Sequence, residues 1–186
     1  MLNASPMTTL RDIMTSEVRS LPPHATLREA ASLMANEHIS SLLVMIDRKA
    51  QGILTESNVL RALHIGQPSD IRLDAIMSQP LITAPAELDL LSARKLVEKH
   101  GIRHLVVTSP SGVVEGIVSD TDFRMHLGTA AFRHLQTMEG IMDRKIPHLS
   151  PRATLGEAIA SMLKHAADYL IVCDDEHRRL QRDDAR

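Results

Sequence analysis

Apolar residues fall on helical spacing in two stretches of this chain. Leu27, Ala30, Ala31 and Met34 occupy positions i, i+3, i+4 and i+7, one face of a helix. Leu90, Ala93, Leu96 and Val97 outline nearly the same face further along. A Pro-bearing segment precedes each helix, SLPPHAT in the first case and ITAPAEL in the second, and LSPRAT stands ahead of a third, TLGEA. Thr26 and Thr154 stand where an N-cap belongs. Glu29 and Glu157 follow three residues later, which predicts two capping boxes. After each of the first two helices come a β-branched run, a polar turn (DRKAQG, SPSGVVEG), a second strand, and a second helix starting near Glu56 or Asp120. The predicted unit is β-α-β-β-α.

The landmarks of this unit recur in register. Ile13-Met14, Ile76-Met77 and Ile141-Met142 are spaced by 63 and 65 residues, and an Ala follows each Ile by 17 positions. The strands ISSLLVMI from Ile39, IRHLVVTS from Ile102 and ADYLIVCD from Ala167 come next. Gly52-Ile-Leu-Thr-Glu-Ser-Asn58 then matches Gly116-Ile-Val-Ser-Asp-Thr-Asp122, with one residue inserted at Ser109–Gly112. The third unit has no such segment. One unit of about 55 residues can bury little of its own surface, so two units packed sheet to sheet are expected. Residues 66–70 read as the linker, and residues 129–139 as a connecting helix.

Composition narrows the function classes. The 186 residues carry a formal net charge of −2, with 44% apolar and 24% charged residues. A near-neutral balance argues against a duplex nucleic-acid binder. Phe123, Phe132 and Tyr169 are the only aromatic residues, too few for a single-strand stacking platform. Cys173 is the single cysteine, which excludes an intrachain disulfide and fits a reducing compartment. The start of the chain lacks the pattern of a signal peptide. No apolar run approaches the ~20 residues that would span a bilayer. A cytoplasmic protein is expected. His100 and His104 have the spacing of a helical metal pair, but Gly101 separates them, so no metal site is expected. Neither a GxxxxGK[ST] nor a GxGxxG segment occurs, and no set of nucleophile, base and acid converges, so no enzyme is expected.

The segment GIVSDTDFR carries the most specific chemistry. Ser119 and Asp122 lie three apart at a strand-to-helix junction. They are suited to capping the helix. They are also suited to a ligand, because a helix start presents N–H donors to an anion and a carboxylate accepts two vicinal hydroxyls.

The ordered, repeated combination resembles the CBS domain, named after cystathionine β-synthase. The supporting residues are IMTSEV, LPPHATLREAASLM, HISSLLVM and QGILTESNVLRAL, then IMSQPLITAPAELDLLSARKLVEKHGIRHLVV and GVVEGIVSDTDFR. The resemblance implies an α+β fold with a pseudo-twofold pair of copies. The first copy would span 10–66, the second 73–128, and a partial third 140–173, with a disordered tail at 174–186. It implies a regulatory ligand, an adenine nucleotide such as AMP, ADP, ATP or S-adenosylmethionine, bound in the cleft between copies, and no cofactor in the catalytic sense. In the family the glycine ends the hairpin turn, the Ser/Thr sits near phosphate, and the Asp accepts from the ribose. Carried over, these roles fall to Ser119 and Asp122 in the second copy and to Thr55 and Asn58 in the first. Arg103 would reach the ligand, with Arg61 and Arg124 as further cations. Val18 or Ile82, and Ile39 or Ile102, would lie against the adenine. Two departures stand out: Asn58 replaces the usual Asp, and Ser57 and Thr121 stand where relatives carry Arg. They keep open a second reading, a ligand-free dimerisation or docking module in a bacterial signalling protein. A homodimer is implied in either case. The broken third copy suggests a longer protein, and the connection HLGTAAFRHLQTMEGIMDR resembles segments ahead of diguanylate cyclase output domains. The strand near Tyr169–Cys173 is expected to have an unpaired edge, so that residues 174–186 are disordered or the strand borrows a partner from another chain.

Overall fold

The computed structural model describes residues 8–131, 146–167 and 169–174. The connecting helix expected to 139 lies outside the described residues beyond Ala131, as do Ile141-Met142 and the tail beyond 174. A short helix α1 (Leu10–Ile13) opens the described chain. Strand β1 (Ser20–Leu21) then pairs in parallel with β2 (Ser41–Ile46), which pairs antiparallel with β3 (Lys49–Thr55). Helix α2 (Leu27–Glu37) connects β1 to β2, and α3 (Glu56–His64) follows β3. The second copy repeats this plan with β4 (Thr83–Ala84), α4 (Leu90–His100), β5 (His104–Thr108), β6 (Val114–Ser119) and α5 (Asp120–Ala131). The third stretch holds β7 (His148–Leu149), α6 (Leu155–His165) and β8 (Ile171–Val172), with β7 and β8 parallel. This is the α+β repeat that the periodicity predicts.

Local chemistry explains where the elements start and turn. The Thr26 amide donates to Glu29 Oε2 at 2.7 Å while the Glu29 amide donates back to Thr26 Oγ1 at 3.3 Å. Thr154 and Glu157 repeat the box at 2.7 and 3.2 Å. The hairpin between β2 and β3 turns through Asp47 and Arg48, both left-handed (φ 46° and 64°), as a two-residue loop requires. The second hairpin is one residue longer and turns at Gly112 (φ 80°), with the Ser109 amide donating to the Val113 carbonyl at 2.8 Å. Both hairpins carry a bulge at matched places, after Val44 and after Val107.

The chain divides into two compact units. One holds both three-stranded sheets and reaches Glu56; residues 57–68 group with the third stretch in the other. Within the first unit, each repeat's leading segment packs on the other repeat. The Leu10 amide donates to the Leu88 carbonyl at 3.0 Å, and Arg11 to Ala86 at 2.9 Å. Thr15 pairs with Ile117 on β6. Leu10 and Ile13 are thereby buried among Leu90, Ala93, Leu105, Val118 and Phe123. The mirror contacts run from Leu73 to the Ala25 carbonyl at 2.9 Å, and between Ser78 and Ile53. Leu43, Ile53 and Val106 form a second cluster that joins the two sheets.

This exchange explains the two glycines and corrects their expected place. Gly52 and Gly116 lie inside β3 and β6, not at the end of the hairpin turns. A Cβ on Gly116 would stand 2.8 Å from Met14 Sδ and 2.9 Å from the Thr15 carbonyl oxygen. One on Gly52 would stand 2.4 Å from Met77 Sδ. The methionine of each Ile-Met landmark thus lies over the glycine of the other repeat, and the two landmarks recur together because they touch.

Candidate functional site

The junction between β6 and α5 is pinned from both sides. Val118 and Phe123 are 0% and 1% exposed and belong to one core cluster. The four residues between them are held at the end of the sheet, part-buried or exposed. Ser119 is the last residue of β6, opposite His104 in the ladder. Its amide and its Oγ both donate to Asp122 Oδ2, each at 2.7 Å, and the Asp122 amide faces Ser119 Oγ at 3.4 Å. This is a capping box with Asp in place of Glu. Both side-chain bonds of Asp122 fall on one oxygen.

Charged groups surround this box. The Asp120 amide donates to the Arg103 carbonyl at 2.9 Å, which ties the helix start to the residue before β5. The Asp120 carboxylate takes Arg94 Nη1 through Oδ1 and Arg124 Nη2 through Oδ2, the latter at 3.3 Å. Arg94 also donates through Nε to Glu98 at 2.8 Å. Hydrogen bonds to Glu98 and then Asp120 hold the Arg94 pKa above its ordinary value. His104 Nε2 lies 3.2 Å from Ser40 Oγ of the first copy, so the starts of β2 and β5 meet within this unit. Burial, and then Arg103, push the His104 pKa down against the opposing pull of Asp122 and Asp120.

The expected ligand residues separate into groups. Ser119 and Asp122 are in direct contact, and Arg103, just ahead of β5, accepts the Asp120 amide on its carbonyl, while Ile102 packs on the core of the second copy. Ile39 and Ile102 hold matched positions, each donating its amide into the end of the preceding helix, to Met34 at 3.0 Å and Val97 at 3.1 Å. Val18 and Ile82 are not matched. Val18 packs on the cluster that joins the sheets, and its counterpart there is Leu81. Ile82 packs on the core of the second copy. The offset of 63 residues that relates the copies ahead of the second hairpin is the signal that assigns Leu81. Thr55 closes β3, and Asn58, in the first turn of α3, is 7% exposed. Arg61 is exposed on the same helix, and Arg124 is engaged with Asp120. Gly101 (φ 60°) caps α4, so His100 ends a helix while His104 opens a strand. Among the described residues no group of three His, Cys, Asp or Glu could hold a metal ion. Nor is any helix among them long and apolar enough to cross a membrane.

The CBS domain family matches residues 10–65, 71–128 and 138–181. The CBS domain-containing protein YhcV of Bacillus subtilis is 29% identical over 121 residues, 64% of this chain and 86% of that protein. Among solved structures, the CBS domain pair of protein MJ0100, in complex with 5′-methylthioadenosine and S-adenosyl-L-methionine, has a TM-score of 0.62. It is 23% identical, and the match covers 67% of this chain and 99% of that one. CBS domain protein PAE2072 from Pyrobaculum aerophilum, complexed with AMP, has a TM-score of 0.60 and 24% identity, with 66% of this chain and 99% of that one covered. At these identities the structural likeness shows the fold alone. Some curated relatives are much longer: the match spans 36% and 41% of the length of two of them.

Proposed function

The chain belongs to the CBS domain family, and from that premise we propose that it is a regulatory module that senses an adenine nucleotide through its second copy. The observation that carries this reading is the state of Asp122. Its Oδ2 is held by Ser119, which fixes the carboxylate, and its Oδ1 is left to accept the vicinal hydroxyls of a ribose. In this reading Arg103 and Ile102, ahead of β5, would reach the ligand, and Ile39, Val18 and Leu81 would offer apolar surface to its base. The AMP and S-adenosylmethionine bound by family relatives have such a ribose and base. Ligand spanning the two copies would favour one relative arrangement of them and bias a partner or attached domain. That bias is bounded by the ligand's differential affinity for the two arrangements. The module itself does no chemistry in this reading. A homodimer, and an output domain such as a diguanylate cyclase, are further parts of the proposal.

A second reading is favoured by Asn58, which offers the first copy no carboxylate, and by the commitment of both Ser119 donors to Asp122. Here the module is a ligand-free dimerisation or docking platform. Isothermal titration with AMP and with S-adenosylmethionine separates the two. The sensing reading expects one of them to bind, and binding to weaken about tenfold or more in Asp122→Asn, which keeps an acceptor for the cap but removes the charge. A folded protein that binds neither ligand, and brings none with it on purification, leaves the docking reading standing.

A further inference from the structure

We infer that the open edge of β8 is a self-association surface, on which β8 of a second copy of this chain pairs antiparallel. The inference is independent of nucleotide binding and supplies a contact for the homodimer proposed above. It starts from register. In the first repeat Ser20 stands opposite Leu43 and Leu21 opposite Val44; in the third, His148 stands opposite Ile171 and Leu149 opposite Val172, position for position. The Leu43 amide donates to the Arg19 carbonyl at 2.9 Å, and the Ile171 amide to the Pro147 carbonyl at the same distance. β8 is therefore the counterpart of β2, the middle strand of its sheet. In both complete repeats the middle strand has an antiparallel neighbour on its other side. Among the described residues β8 has only its parallel neighbour β7, and a sheet of two strands is marginal alone.

The missing neighbour leaves apolar surface and backbone turned outward. Leu43 and Val44 are 0% exposed, whereas Ile171 and Val172 at the matched positions are 37% and 59% exposed. Helix α2 buries Leu27, Ala30 and Met34, whereas α6 buries none of its residues. The Ile171 and Cys173 amides face β7. Strand alternation therefore turns the backbone polar groups of Leu170 and Val172 to the free edge, where Leu42 and Val44 meet Leu54 and Gly52 of β3 in the first copy. Two features select a second β8 as the occupant. A twofold axis sets a strand against itself antiparallel, the polarity this edge lacks. With Leu170 opposite the partner's Val172, both pairs exchange backbone hydrogen bonds and the axis passes beside Ile171. The segment 169–173, YLIVC, also carries no charge. The edge strands β3 and β6 carry Lys49 and Glu115, the kind of charge that guards an edge against pairing. β8 lacks that guard, so pairing with itself sets no like charges opposite each other within the strand. The residues that follow, DDEHRRLQRDDAR, have no alternating apolar run like those of β3 and β6.

The test is disulfide trapping in the whole chain. Cys173 is the single cysteine, so Cys173→Ser clears the background and Ile171→Cys places a thiol beside the axis. Opposed residues of a non-hydrogen-bonded antiparallel pair have Cα atoms about 4.5 Å apart, within disulfide reach. With oxidised glutathione, this double variant is expected to give at least about tenfold more linked dimer than Ser111→Cys in the same Cys173→Ser background, an exposed control on the second hairpin. Adding Val172→Pro removes an edge amide and should abolish the excess. In the unsubstituted chain, exchange of the Leu170 and Val172 amides should slow by about tenfold or more as chain concentration rises. No excess of linked dimer over the control, with both amides exchanging freely at every concentration, would overturn the inference. Amides protected at every concentration without linked dimer would mean that β8 pairs within its own chain, and would overturn it as well. Linked dimer that survives Val172→Pro would mean contact through side chains alone, and would overturn the strand pairing. Each of these outcomes leaves the sensing reading untouched.

Discussion

Two strand-to-helix junctions in this molecule share one backbone plan and differ in charge. At the end of β3 the chain runs Thr55-Glu56-Ser57-Asn58, and at the end of β6 it runs Ser119-Asp120-Thr121-Asp122. Each follows a strand glycine that lies under a methionine of the other repeat. In each the first helical amide donates to a carbonyl at the start of the neighbouring strand, Glu56 to Ser40 at 3.1 Å and Asp120 to Arg103 at 2.9 Å. The side chains then diverge. Arg94 corresponds to Ala31, Arg124 to Leu60, Asp122 to Asn58 and His104 to Ser41. The second junction has a carboxylate fixed by its cap and ion pairs around it, whereas the first has an amide at the matched position. Backbone hydrogen bonding and core packing dictate the shared plan, because both copies must bury the same strands and close the same helix start. Nothing in that requirement dictates the charges, so the charges are where the copies can differ in function.

The largest effect should come from filling the shared feature, the glycines. In Gly116→Ala the new methyl meets the Thr15 carbonyl oxygen at 2.9 Å, and a backbone atom paired to the same strand cannot swing aside. In Gly52→Ala the nearest atom is Met77 Sδ at 2.4 Å, the movable part of a flexible side chain, with the Ser78 carbonyl oxygen at 3.0 Å. Overpacking of this kind costs about 1–3 kcal/mol. Gly116→Ala should lie toward the upper end and Gly52→Ala below it, read as shifts of the urea midpoint at constant m-value. Wild-type midpoints in both variants would mean that the exchanged segments do not lie over these strands.

A smaller effect should follow from giving the first junction the second one's acid. Asn58 is 7% exposed, whereas Asp122 is only partly buried and its carboxylate is satisfied by Ser119. Asn58→Asp therefore puts a charge where little water reaches. It should destabilise the chain at neutral pH by about 1–2 kcal/mol without creating a second ligand site. Calorimetric stoichiometry checks the second half of this. Two equivalent ligands per chain in Asn58→Asp would mean that the acid alone distinguishes the junctions, and that the arginines around Asp120 are incidental.

Much of the plan is legible in the sequence because repetition supplies its own alignment. The 3.6 spacing from Leu27 and Leu90, the two Thr–Glu boxes, the single inserted residue in the second hairpin and the junction at Ser119 all follow from local pattern. What is not legible follows from contacts made between repeats. Ile13-Met14 opens the first repeat in sequence, yet α1 is buried in the second repeat, and no local periodicity encodes that exchange. Gly116 has the look of a turn residue, and only the passage of Met14 and Thr15 over it explains its place inside a strand. Pairing Val18 with Ile82 fails for the opposite reason: the signal was present, since the 63-residue offset leads to Leu81. The engagement of Ser119 by Asp122 is half legible. Spacing predicts the cap, but only the folded geometry shows that it consumes both Ser119 donors on one carboxylate oxygen.

The smallest expected effect distinguishes the junctions by pH. His104 stands beside Ser119 in the ladder and 3.2 Å from Ser40, facing Arg103, Asp122 and Asp120; its counterpart Ser41 does not titrate. Burial, and then Arg103, hold its folded pKa below the ordinary 6.5, so the folded state resists the proton. Above pH 6.5 the imidazole is neutral in both states and contributes no pH dependence. As pH falls below 6.5 the unfolded chain takes up a proton that the folded chain refuses, so stability declines until the folded pKa is reached. His104→Gln should therefore flatten part of the loss of melting temperature as pH falls below 6.5. If a ligand holds the starts of β2 and β5 together, the same window should weaken its binding, because a proton on His104 adds charge beside Arg103 at the point where the copies meet. Equal slopes for wild type and variant would show that His104 is solvated in solution, and that the contact between the copies at Ser40 opens there.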